Sequence, residues 1–133
     1  MKACRYAWAL PTTLLGLVLG LLLWATGGRM RRHAGVLEFS GGRLARHWAR
    51  RPTGRGFGAI TLGHVIVALS AVELDRLRSH EHVHVRQCER WGPAFVPAYL
   101  LSSAWQLIRG RRAYLDNHFE REAYARDASR PFH

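Results

Sequence analysis

Ser70-Ala71-Val72-Glu73, running on through His80-Glu81-His82-Val83-His84 to Trp91-Gly92-Pro93, is the stretch that decides the fold. Ser70 and Glu73 form a capping box, in which the serine hydroxyl and the glutamate satisfy free amides of a first helical turn. Gly92 and Pro93 stop that helix, so the sequence predicts one helix from Ser70 to about Trp91. On it, His80 and His84 lie one turn apart on one face, and both imidazoles can reach a single tetrahedral metal ion. Glu81 stands beside them, where a carboxylate can take a proton from a metal-activated water. Leu74, Leu77, Val85, Cys88 and Trp91 fall on the side of Glu81 and His84, and Asp75, Arg78, His82, Arg86 and Glu89 on the other. His82 is therefore read as a surface residue and not as a ligand.

On the C-terminal side, Pro93 to Ile108 is 16 residues without a charge, short for a membrane span. It reads as a core helix, or as one lying half in a bilayer surface with Arg109, Arg111 and Arg112 meeting anionic headgroups. Asp116 or Asn117 caps a final helix. A catalytic zinc needs a third protein ligand and an open position, and Glu120 is the candidate, with Ala123 one turn on allowing close helix approach. The competing reading is that Asn117-His118-Phe119-Glu120 is itself a capping box and Glu120 does nothing but cap. Glu122 is the fallback ligand. Buried histidines without a metal would need other partners for their ring nitrogens.

On the N-terminal side, Ala59 to Leu69 reads as one strand or a hairpin bent at Gly63. Gly35 to Gly42 is a short strand ending in a Gly-Gly turn, Arg43 to Arg51 a basic helical patch, and Pro52 to Gly58 a turn-rich loop. A sheet of two to four strands follows. His64 reads as a strand or core histidine outside the site.

Ala7 to Thr26 is a run of 20 residues without a charge, just long enough to span a bilayer core. Trp8 and Trp24 sit near its ends, as at a membrane interface. The competing reading is a signal peptide cleaved near Ala25-Thr26-Gly27. Five arginines and one acid follow within residues 27–46, which by the positive-inside rule puts the C-terminal part in the cytoplasm. The expectation is a single-pass protein of the inner (cytoplasmic) membrane: anchor at 1–28, basic strand and loop connector at 29–58, metal-binding domain at 59–133.

A chain of 133 residues leaves room for one modest domain. Its 20 basic residues against 9 acidic, all but Lys2 being arginine, suit anionic lipid or nucleic acid, or reflect codon bias alone. Nucleic acid is not the expected partner, because the Arg29–Arg55 patch contains no reading module and few aromatic residues. Cys4 and Cys88 form neither a disulfide framework nor a cysteine zinc site.

His80-Glu81-x-x-His84 followed by Asn117-x-x-Glu120-x-x-Ala123 resembles the gluzincin pattern of zinc metallopeptidases, and the layout resembles small bacterial membrane-anchored proteins of that type. The resemblance covers 80–84 and 117–125. It implies an α+β fold: an N-terminal transmembrane helix, then a minimal zincin-like domain with a small sheet and the motif helix packed on a glutamate-bearing helix. It implies Zn2+ held by His80, His84 and Glu120, Glu81 as general base, and peptide or protein substrates near the bilayer. Tyr124 departs from the pattern, standing where the family has an aspartate that orients a histidine ligand; Asp127 or the Tyr124 hydroxyl are the stand-ins. Tyr124, His118 and Tyr114 are the candidate oxyanion donors. The competing reading is an inactive membrane-associated metal- or partner-binding domain of zincin shape.

Overall fold

A computed structural model describes residues 2–51 and 58–128. Two helices, α1 (Lys2–Trp8) and α2 (Leu10–Ala25), lead into strands β1 (Arg29–His33) and β2 (Val36–Ser40) and helix α3 (Gly42–Ala49). The hairpin β3 (Ala59–Leu62) and β4 (Val65–Ala68) follows, and then α4 (Ala71–Trp91), α5 (Phe95–Ile108) and α6 (His118–Ala128). A single 3-10 turn, Gly92–Ala94, joins α4 to α5. The loop expected at Pro52 to Gly58 lies, from 52 to 57, outside the described residues.

The sheet order is β1-β2-β4-β3, with β2 and β4 parallel and both outer pairs antiparallel. All four β4 residues, Val65 to Ala68, are buried, because a central strand covered on both faces leaves no side for polar residues. Val65 and Val67 pack with Phe39 and Leu23 toward α2, whereas Ile66 and Ala68 pack with Val36, Leu74 and Val85 toward α4. The hairpin turns at Gly63, whose φ of +62° suits glycine. β1 was not foreseen. Its Arg-Met-Arg-Arg-His sequence is exposed throughout, so it carries no alternation to read.

The apolar N-terminus departs most from expectation. Among the described residues no helix is long and apolar enough to cross a membrane. Pro11 offers no N–H to the Ala7 carbonyl, so the run breaks at Ala9 into two helices. The 16 residues of α2 then extend about 24 Å, short of a hydrocarbon core of about 30 Å. Moreover, α2 is a layer of the domain. A Cβ on Gly16 would lie 2.8 Å from the Leu62 carbonyl oxygen, and one on Gly20 2.3 Å from the Phe39 ring, so these glycines let the helix lie directly on the sheet. Thr13 Oγ1 accepts the His64 amide at 3.1 Å, and the Tyr6 ring stacks on His64 at 4.0 Å. The fold is α+β with a small mixed sheet, but without the transmembrane helix, and the expected single-pass location in the inner membrane falls with that helix.

Gly20→Val forces β-branched bulk into the Phe39 ring. Unfolding by denaturant should show a loss of about 1–3 kcal/mol. An unchanged midpoint would mean that α2 contributes nothing to the domain.

Candidate metal centre

The serine half of the box expected for α4 is present: Ser70 has extended backbone angles and its Oγ accepts the Glu73 amide, whereas the Glu73 carboxylate takes a hydrogen bond from Arg76. The helix stops at Gly92, whose φ is +58°. With these ends fixed, the register turns His80, Glu81, His84, Gln87 and Cys88 inward, all buried. The opposite side is less solvated than the sequence suggested. Glu38 of β2, 1% exposed, receives two hydrogen bonds from Arg78, at 2.9 and 3.0 Å. His82 lies 3.7 Å from the same carboxylate, well away from the other two histidines' partners.

Asn117 caps α6, its Oδ1 accepting the Phe119 amide at 2.8 Å, while its Nδ2 donates to Ser103 and to the Tyr99 carbonyl. The Asn117 amide, which a capping-box glutamate would accept, bonds instead to the Tyr114 carbonyl. Glu120 is therefore free of the cap and turns toward α4. Its Oε2 lies 3.0 Å from His80 Nε2 and its Oε1 3.1 Å from His84 Nε2. Ala123, fully buried, keeps the contact between the helices short.

His80, His84 and Glu120 thus form a buried group that can hold a metal ion, with one ligand atom from each lying within 4.8 Å of the others. Two imidazole nitrogens and a carboxylate oxygen suit a borderline cation. In a tetrahedron with bonds of about 2.0–2.1 Å, neighbouring donor atoms lie about 3.3 Å apart. Each histidine's distance to its nearer Glu120 oxygen is within a few tenths of an ångström of that, while the full spread of up to 4.8 Å would have to close around an ion. The side of the group away from His80 faces a cleft of about 280 Å3 lined by Thr61, Glu81, Tyr99, Tyr114 and the edge strand β3. That is where an open coordination position would lie.

Three positioning residues were missed in the sequence. Gln87 Nε2 donates to the Phe119 carbonyl and the Glu122 carboxylate, which fixes the amide's orientation and turns its Oε1 toward His84 Nδ1 at 2.8 Å. His84 Nδ1 therefore carries a hydrogen, which leaves Nε2 as the atom that could ligate a cation. A glutamine at i+3 from a ligand histidine was the signal available. Thr61 Oγ1 lies 2.6 Å from Glu81 Oε2, a pairing set by sheet register and invisible in sequence. The Tyr99 hydroxyl donates to Glu120 Oε1 at 2.7 Å.

The electrostatics follow from this enclosure. Burial raises the Glu81 carboxyl above its ordinary value, with His84, Thr61 and His80 pulling part of the way back. Burial also pushes Glu120 up, but hydrogen bonds from His80 and His84, and His84's charge, win and hold it at about 2. Burial pushes His84 down; the hydrogen bond and charge of Glu120 outweigh it and leave the imidazole raised. His84 Nδ1 faces the Gln87 amide oxygen and Nε2 faces the Glu120 carboxylate, so any proton held on Nε2 has to leave when a cation takes that place.

The other expected residues divide. Glu122 meets Gln87 and Arg126 and does not join the ligand group. Neither stand-in for the family aspartate reaches His80: Tyr124 packs its ring on the imidazole at 4.3 Å, and Asp127 takes the Ser79 hydroxyl. His80 Nδ1 is buried with no partner among the described residues. Of the three oxyanion candidates, only Tyr114 lines the cleft. His64 is buried in the β3–β4 turn and bonds Glu89 at 2.8 Å. Comparison with protein-family models, with curated proteins and with solved structures finds no match to the chain.

Removing the amide in Gln87→Ala should weaken metal affinity about 10–100-fold, read by competition with a chelator. In the same titration His84→Ala and Glu120→Ala should lose stoichiometric binding, and Glu122→Gln should keep it. Loss of binding in Glu122→Gln alone would move the third ligand.

Proposed function

We propose that the chain is a zinc-dependent, gluzincin-like metallopeptidase that hydrolyses peptide bonds. The observation that carries this reading is that Glu120 is released from its cap and lies against His80 and His84, next to a buried carboxylate and an open cleft. Zinc held by His80, His84 and Glu120 would supply a Lewis acid that activates water at neutral pH. The donor set of two imidazoles and one carboxylate is typical of catalytic zinc.

The chain's own residues account for the rest. Glu81 accepts the proton of the attacking water and returns it to the leaving amine; burial, which raises its carboxyl, brings its basicity closer to the range a general base needs. Thr61 holds Glu81 Oε2 at 2.6 Å, so the carboxylate does not have to search for its position. Thr61 stands on β3, the outermost strand, whose free edge can pair with an extended peptide. Tyr114 stands at the cleft wall, its hydroxyl 3.5 Å from that of Tyr124, and is the candidate donor to a developing oxyanion.

A second reading has one observation behind it. His80 Nδ1 lacks the acceptor that usually fixes a ligand histidine, as suits a domain that binds metal or a partner without turnover.

Glu81→Gln separates the two readings. Zinc should stay bound at full stoichiometry while cleavage of a peptide library falls about 10²–10⁴-fold. Wild-type protein loaded with zinc that cleaves no peptide would overturn the peptidase reading and leave the binding one.

A further inference from the structure

The polarity of α2 and α5 is inverted relative to a helix that faces water. On α2, Leu10, Leu14, Leu15, Val18, Leu21 and Leu22 are all about half exposed or more, and the helix bears no charge. The polar side chains turn inward: Thr12 is buried, and Thr13 bonds the Ala9 carbonyl and the His64 amide. On α5, Leu100, Leu101, Trp105, Leu107 and Ile108 are exposed, Leu101 by 71% and Ile108 by 79%. Its hydroxyls again face the protein: Ser102 accepts the His118 amide, and Ser103 bonds Asn117 and the Ala113 carbonyl. A water-facing helix places these groups the other way round, and apolar arcs of this extent mark an interaction surface.

The charges identify what covers the arcs. Both helices run into exposed arginines, Arg29, Arg31 and Arg32 after α2 and Arg109, Arg111 and Arg112 after α5. Arg109 lies over the Trp105 ring at 5.7 Å. Trp8 and Trp24 are exposed near the two ends of α2. A second copy would bring the same arginines against these, in a chain already at +11, whereas an anionic lipid surface complements them. The helices also start together, since Gly92, at the head of α5, lies against the Trp8 indole.

We infer that the outward arcs of α2 and α5, with their arginine ends, form a docking surface for an anionic bilayer, sunk into one leaflet without crossing it. Leu100 belongs to the α5 arc and also lines the cleft beside Glu120, so the mouth of the metal centre opens at the lipid boundary. The docking surface itself does not rest on the peptidase reading.

The test is flotation of the full chain with vesicles of phosphatidylcholine alone and of phosphatidylcholine mixed with phosphatidylglycerol. Binding to the mixed vesicles should be at least about ten-fold tighter, each engaged arginine contributing about five-fold. The pairs Leu14→Glu with Val18→Glu, and Leu101→Glu with Ile108→Glu, should each cut binding about ten-fold or more. Val72→Glu, at an exposed apolar position on α4, should not. Arg31→Gln with Arg111→Gln removes only exposed side chains, so the charge component can be read even if the glutamate pairs unfold; it should reduce the preference for anionic vesicles. Equal binding to both vesicle types, an undiminished preference in the arginine pair, or an equal loss in Val72→Glu would each overturn the inference. So would a discrete lipid-free oligomer that Leu101→Glu dissociates, which would assign the surface to a second copy.

Discussion

A carboxylate as buried as that of Glu120, at 3% exposure, costs several kcal/mol to remove from water unless partners surround it. Here it has three: two imidazole nitrogens and a phenol hydroxyl, from α4 and α5. This cluster joins the three C-terminal helices, because Phe95, Phe119 and Cys88 pack around it and Asn117 ties the start of α6 to α5. Losing any one partner leaves fewer groups to offset the cost of burying that charge. A cation held by the same three side chains would stand between the imidazole nitrogens and the carboxylate that now meet directly.

The motif helix is held from two further directions. Behind it, the paired hydrogen bonds of Arg78 to Glu38 fix its rotation against the middle of the sheet. A one-residue change of register would turn every side chain by about 100°, so this pair constrains where His80 and His84 point although it lies on the far side of the helix. In front, Thr61 ties Glu81 to the edge strand. Sheet register and ligand geometry are thus one constraint.

What could be read from the sequence was local. Ser70 and Gly92 bounded α4, Gly63 marked the hairpin, and the Asn117 cap and His80/His84 spacing depend on neighbours a few residues away. Glu120 was legible as a candidate but not separable from a cap, because that choice turns on where the Asn117 amide finds its acceptor. The N-terminus misled for a different reason. A bilayer and a protein sheet both reward an uncharged leucine-rich helix, and only Pro11 and the Gly16/Gly20 pair at i,i+4 spacing distinguished them. β1 had no pattern to read, and Thr61, Gln87 and Tyr99 acquire their roles through contacts 20 to 35 residues away or across one helix turn.

The hydrogen bond from the His64 amide to Thr13 closes a span of 51 residues, and this has a consequence in time. A ribosome adding about 5–20 residues per second takes about 3–10 s to cover that distance. For most of that interval α2, complete at Ala25, precedes the hairpin it lies on, which begins at Ala59. Its glycine face and its leucine face are then both without cover, in a segment with no charge to keep it apart from other chains. Until the sheet is made, this apolar helix has no surface of its own chain to lie on, and the order of synthesis places its exposure early.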